Sequence, residues 1–371
     1  MGTPQLSLLL SAVDVPEYLL AHGLLSPRSI IDSDVVIREL SGRNRTFGAE
    51  CRNAPSYLLK QNTTAETNAA SEGDVYRALS ATASMRPYLA QFHGYDADGR
   101  ILVTEYFPAG EDLASFHLRR SRPPARTASA IGTVLAALHR VPVEQAGPIM
   151  NRRRRSPALA VHRPGRRLVT ESSRTAMEVV KIIQGTDGFG AQLDALHRDW
   201  SATTPVHQDV RFKNFVWTPP SSTSSRPRLK LIDWELACLG DPAWDIGSAL
   251  GNYLSLWLTS IPATGSYPVA QSAELARCPL SGVQRAIRAC WHAYVKVCCP
   301  DDAGAALLPR TVRYAAARLV QTTFETAQDS TSLTADMVLH LQVAFNMLQR
   351  PREAASHLLG VTSPELPGGD A

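Results

Sequence analysis

The sequence predicts an α+β fold of two lobes, a small sheet-rich one followed by a larger, mainly helical one. Three observations carry this. Over roughly the first hundred residues, short β-branched and apolar runs alternate with turn-forming stretches. Pro108-Ala109-Gly110 and then Pro123-Pro124 punctuate the chain. Beyond them, apolar residues recur at the spacing of a buried helix face. A ligand is expected in the cleft that such a layout forms.

The elements follow in order. Residues 14–24 read as a short amphipathic helix ending near Gly23. Asp34 to Leu40 is a β-branched run, followed by the turn-rich Ser41-Gly42-Arg43-Asn44-Arg45. Tyr57-Leu58-Leu59 is a strand that ends on Lys60, Ser71 to Leu79 is helical, and Ile101 to Tyr106 is a further strand. We therefore expect a first lobe over residues 1–107 and a second over 108–371. In the second, Ile131, Val134, Leu135 and Leu138 mark one helix face, and Val312, Ala315, Ala316 and Leu319 repeat the spacing. Residues 334–348 are helical as well. Only 205–234 is strand-like there, with the Pro/Ser tract Pro219–Pro227 as a loop inside it.

Bulk properties exclude several classes. With 371 residues, 44% hydrophobic and 19% charged, the chain has the composition of an ordinary globular protein. A net charge of +4 is too mild to imply nucleic acid. Its six cysteines are scattered and form no C-x-x-C, which predicts reduced thiols and no zinc site. Leu6 to Leu10 has no basic flank and is followed by Asp14 and Glu17, unlike a signal peptide. No apolar run approaches the length of a membrane span. A cytoplasmic protein is expected.

The chemistry concentrates in one stretch. His207, Asp209 and Asn214 fall as H-x-D-x-x-x-x-N, and nineteen residues later the run Leu229-Lys230-Leu231-Ile232 ends on Asp233. Transfer of a phosphoryl group needs a base for the attacking hydroxyl and hard oxygen ligands for the metal that bridges the phosphates. Asp209 suits the first role, and Asn214 with Asp233 the second. A loop with helix-capping Asp and Asn would share pieces of the pattern, but the full strand–loop–Asn–strand–Asp set is specific for a Mg²⁺–nucleotide site.

Val206-His207-Gln208-Asp209-Val210-Arg211-Phe212-Lys213-Asn214, Leu231-Ile232-Asp233-Trp234-Glu235-Leu236-Ala237 and Gly240-Asp241-Pro242-Ala243-Trp244-Asp245 resemble the aminoglycoside phosphotransferase/choline kinase family, a branch of the protein-kinase-like fold. Weaker echoes are Leu135-Ala136-Ala137-Leu138-His139 and Thr104-Glu105-Tyr106. The resemblance spans roughly residues 35–350. It implies ATP and Mg²⁺ as cofactors, Asp209 as catalytic base, and Asn214 and Asp233 as metal ligands. It further implies that Lys60 holds the α- and β-phosphates, oriented by Glu72 or, failing that, Glu66. Adenine is then expected on the backbone of Glu105 and Phe107. His207 is expected to brace the loop more than to move a proton, and Asp245 to cap loop amides. Two features depart from the family: no G-x-G-x-x-G is present, and Gln208 stands where the family commonly has Gly.

The acceptor is less legible. Eight arginines lie between Asn151 and Thr175, opposed only by Glu171: Arg152, Arg153, Arg154, Arg155, Arg163, Arg166, Arg167 and Arg174. Such a run repels polycations and suits an anionic or peptidic hydroxyl acceptor, such as Ser or Thr of an acidic natural-product precursor peptide. A solvated charge run is the plain alternative. No interleaved aromatics point to nucleic acid. A small-molecule kinase acting on an antibiotic, choline-like compound or sugar also fits. So does a pseudokinase-like scaffold that binds nucleotide or peptide for a partner enzyme, though Lys60, Asp209, Asn214 and Asp233 are all present.

Overall fold

The computed structural model describes residues 10–31, 34–40, 44–52, 54–62, 69–146, 154–220, 228–262, 269–299 and 303–362. Glu66, Gly42, Arg43, Arg152, Arg153 and most of the Pro219–Pro227 tract lie outside them. The fold is α+β. Ten strands occur among the described residues: β1 (Val35–Leu40), β2 (Arg45–Cys51), β3 (Tyr57–Gln61), β4 (Phe92–Asp96), β5 (Ile101–Glu105), β6 (Glu111–Asp112), β7 (Thr204–Val206), β8 (Phe215–Thr218), β9 (Arg228–Leu231) and β10 (Cys238–Gly240). The chain forms two compact units. One is drawn from Met1–Asp112, Val143–Asn151 and Asn214–Ala237, the other from Leu113–Pro142, Arg152–Lys213 and Cys238–Ala371.

The first unit is built on an antiparallel sheet of order β1-β2-β3-β5-β4. Along β3, Tyr57, Leu59 and Gln61 are buried and Leu58 and Lys60 are partly exposed, the alternation of a strand with one face on the core. Phe47, Leu59, Ile101 and Val103 pack with Val15 and Leu19 of the helix Asp14–Ala21. The helix Ala69–Ala81 buries Val75, Tyr76 and Leu79, and Tyr76 stacks on Phe92 of β4. Gly48 on β2 lets the Tyr106 ring pack against the strand, since a Cβ there would lie 2.6 Å from that ring. A second small sheet, β6-β8-β9, completes the unit.

The second unit is helical apart from the β7–β10 pair. The helix Ala125–His139 buries Ile131, Val134, Leu135 and Leu138, the face its spacing predicts. It crosses the helix Leu280–Cys298 closely: a Cβ on Gly132 would sit 2.1 Å from the Cys290 carbonyl oxygen. Val312, Ala315, Ala316 and Leu319 are fully buried on the helix Ala303–Gln328. The helices Pro242–Leu258 and Ala335–Gln349 pack beside it. All six cysteines are free. Among the described residues no helix is long and apolar enough to cross a membrane.

Candidate active site

In the first unit, β3 delivers Lys60 into a nest of carboxylates. Its Nζ donates to Asp233 Oδ1 at 2.6 Å, Glu72 Oε2 at 3.0 Å and Glu235 Oε2 at 3.1 Å. Glu72 is supplied by the first turn of the helix Ala69–Ala81, and its other oxygen accepts the Trp234 amide at 3.0 Å. Trp234 is fully buried and donates its indole N–H to the Leu231 carbonyl, which anchors the turn after β9. Asp233 begins that turn in the left-handed region, at φ 66 and ψ 63. A non-glycine residue is costly there, on the order of 1–3 kcal/mol, and persists when its surroundings over-determine it. Asn214 precedes β8, and its carbonyl accepts the Ile232 amide at 2.9 Å, so the β8–β9 ladder sets Asn214 opposite Ile232, the residue before Asp233.

Burial works against a charged Lys60, but three carboxylates outweigh it and hold the ammonium well above the ordinary lysine value. Burial and the neighbouring Asp233 push the Glu72 carboxyl up against the pull of Lys60. Three carboxylates around one ammonium leave a formal charge of about −2, which a divalent cation would neutralise. The ligand atoms of Glu72, Asp233 and Glu235 lie within 4.8 Å of one another. These are hard oxygen donors, of the kind that suits a hard divalent cation. Glu235 was not singled out from the sequence; its signal was the second carboxylate two residues after Asp233.

At the end of β5, the Glu105 amide donates to the Gln91 carbonyl at 2.8 Å. The Phe107 carbonyl accepts from the Gly110 amide at 2.9 Å.

In the second unit, β7 leads into His207-Gln208-Asp209. Asp245 lies in the first turn of the helix Pro242–Leu258, which Asp241 caps. Its carboxylate accepts the His207 amide at 2.7 Å and the Gln208 amide at 3.0 Å, the capping its sequence position suggests. His139 Nε2 lies 3.3 Å from the same carboxylate, and the Tyr294 hydroxyl 2.8 Å from His139 Nδ1. Gln208 is left-handed at φ 70, with its carbonyl held by the Trp244 indole at 3.0 Å. That conformation is the physical reason glycine suits this position. His207 is fully buried, and its Nδ1 accepts the Asp209 amide at 3.3 Å, a bracing contact.

Asp209 is buried and ion-paired. Arg211 reaches its Oδ1 with Nε at 2.8 Å and Nη2 at 2.7 Å, and Arg318 Nη1 lies 3.9 Å away. Glu325 ties both arginines together, at 3.3 and 3.6 Å. Burial acts to raise the Asp209 pKa, but the guanidinium groups outweigh it and hold the carboxyl below the ordinary aspartate value. Arg318 and Glu325 were not predicted. The available signal was an arginine inside the apolar run Tyr314–Val320, where an unpaired charge is costly. Of the described insert arginines, Arg163 pairs with Asp194, Arg167 with Glu171 and Arg174 with Glu178.

Comparisons with known proteins bear on the fold and the family. The amicoumacin kinase hAmiN in complex with AMP-PNP, Ca²⁺ and Ami superposes with a TM-score of 0.54 at 16% identity, covering 91% of this chain and 94% of its own. The GDP complex of an aminoglycoside 2'-phosphotransferase-IIIa variant gives 0.50 at 11% identity, covering 94% and 99%. The choline kinase LicA from Streptococcus pneumoniae gives 0.48 at 15% identity, covering 91% and 99%. No curated protein matches the chain in sequence. The first two structures share its protein-kinase-like fold, and the model of the phosphotransferase enzyme family, APH, matches residues 36–273. A match over that much of the chain makes this protein a member of the APH phosphotransferase enzyme family.

Proposed function

We propose that the protein transfers the γ-phosphoryl group of ATP, with Mg²⁺, to a hydroxyl acceptor. The observation that carries this reading is the Lys60–Glu72–Asp233–Glu235 cluster: one fixed ammonium for phosphate oxygens beside an excess of carboxylate for a divalent ion. Residues 1–107 would form the nucleotide-phosphate lobe and residues 108–371 the helical, catalytic one. Asp233 and Asn214 would hold the metal, with Glu235 close by. Bound there, Mg²⁺ would offset the negative charge of the phosphates. Lys60, fixed by Glu72, binds the α- and β-phosphates. With the Glu105 amide and the Phe107 carbonyl already spent, the Glu105 carbonyl and the Phe107 amide are left to meet the adenine edge. Asp209 takes the proton of the attacking hydroxyl while His207 and Asp245 fix its loop.

The acceptor we infer is anionic or peptidic and not an aminoglycoside. Arg154, Arg155, Arg163, Arg166 and Arg167 are exposed along the insert, and a polycation would meet them unfavourably. Six free thiols suit a reducing, cytoplasmic setting.

The test is Asp209→Asn. Transfer from ATP should fall by about 10²–10⁴-fold while nucleotide affinity stays within about twofold, because the base is lost and the phosphate ligands remain. Equal turnover by both proteins at saturating acceptor would sink the assignment.

A further inference from the structure

A cavity of about 230 Å³ lies in the second unit, walled by Arg211, Phe212, Lys213, Asn252, Ser255 and Thr259 among others. Arg211 connects it to the candidate base, since it lines the cavity and also bonds Asp209. None of its lining residues carries a carboxylate. Its two cations differ in state. Arg211 is already balanced by Asp209 and Glu325. Lys213 is exposed and has no ion pair among the described residues. Counting Asp209, Glu325, Arg211, Arg318 and Lys213 together leaves about one uncompensated positive charge at the cavity.

The neutral groups of the wall have unspent capacity as well. The Asn252 amide nitrogen is committed to the Val210 and Ser248 carbonyls, which fixes the side chain and leaves its oxygen as an acceptor. The Ser255 hydroxyl is buried with no hydrogen-bond partner among the described residues, an unusual state for a polar atom. Phe212, at 6% exposure, packs edge-on against His117 and Tyr253, so the residue between the two cations is anchored in the core.

We propose that this cavity is the acceptor subsite and that Lys213 selects an acceptor carrying a carboxylate or phosphate close to its reacting hydroxyl. The proposal rests on the phosphotransfer reading above and refines it. The arginines of the 152–174 insert are partly neutralised by local carboxylates, whereas Lys213 is unpaired and one residue from Asn214. A cavity of this size lies below the roughly 300 Å³ where pockets for drug-sized ligands begin. It suits a small hydroxy acid or a single Ser with an acidic neighbour. A multi-ring polycation is disfavoured by the charge of the wall.

The experiment measures initial rates of ADP formation with a matched panel. D-glycerate and the peptide Glu-Glu-Ser-Glu-Glu are the anionic acceptors, one free and one peptidic. Glycerol and Gln-Gln-Ser-Gln-Gln are neutral, and choline and kanamycin are cationic. Wild type is compared with Lys213→Arg, Lys213→Gln and Lys213→Glu, and ATP hydrolysis without acceptor is recorded in parallel. Wild type should prefer an anionic acceptor, and its kcat/KM should fall as salt rises. Lys213→Arg should keep the preference. Lys213→Gln should lose about tenfold in kcat/KM, and Lys213→Glu should lose more and turn the preference toward choline. Lys213 is exposed, so a graded response that follows charge at constant Tm separates recognition from misfolding. Preference for glycerol, choline or kanamycin by wild type overturns the proposal, as does an unchanged preference in Lys213→Glu. If ATP is hydrolysed in a Lys60- and Asp233-dependent way but no anionic acceptor is used, the subsite proposal falls and the phosphotransfer reading stands. If ATP is neither bound nor hydrolysed, both fall.

Discussion

Gln208 and Asp209 show at residue scale how strain and charge are placed together. Gln208 carries a positive φ of 70, and both of its side-chain polar atoms are buried without a hydrogen-bond partner among the described residues. The geometry persists because Asp245 and Trp244 hold its backbone from both sides. Gln208→Gly should therefore stabilise the protein by about 1 kcal/mol without reducing transfer, read as a rise in Tm. A lower Tm would show that the side chain packs productively. For Asp209, burial raises the pKa but Arg211 and Arg318 dominate and depress it. A base with a depressed pKa stays ionised further into acid. Arg211→Gln should move the acidic limb of kcat/KM to higher pH; an unmoved limb would separate Arg211 from the base. Candidate residues in this loop could be picked out because phosphoryl transfer needs fixed residue types at short spacing. Arg318 and Glu325 were not, because only the packing of the helix Ala303–Gln328 brings them to Asp209.

At the scale of elements, a strand and a helix together hold the lysine of the first unit. Lys60 on β3 and Glu72 on the helix Ala69–Ala81 meet at 3.0 Å. Lys60→Met and Glu72→Gln should each weaken ATP use, and the double variant should fall short of their sum by on the order of 1–3 kcal/mol. Simple additivity would mean that they act separately. In the second unit, Gly132→Ala would drive a Cβ into the Cys290 carbonyl. Backbone cannot swing aside like a side chain, so a loss of about 1–3 kcal/mol is expected, read as a lower urea midpoint at constant m. The helix faces here were readable from their period. Strands β2 and β4 were not read. Arg45–Cys51 has no β-branched run beyond Thr46, and becomes a strand because Val36 pairs with Glu50 and Leu59 with Phe47. Phe92–Asp96 contains Gly94 and a register shift between Phe92 and Gly94, which hides the alternation.

At the scale of the molecule, the units are discontinuous in sequence. The segment Asn214–Ala237, with both expected metal ligands, groups with the sheet-rich residues, while His207 and Asp209 group with the helices. The residues of one short motif thus fall in two units, which spacing alone does not reveal. In the proposed nucleotide site, affinity depends on a metal held by Asp233. The most direct test is calorimetric titration of ATP into the full chain, with and without Mg²⁺, for wild type and Asp233→Ala. Mg²⁺ should tighten ATP binding to wild type by at least about tenfold, and most of that gain should vanish in Asp233→Ala. A Mg²⁺-dependent gain that survives the substitution would contradict the account.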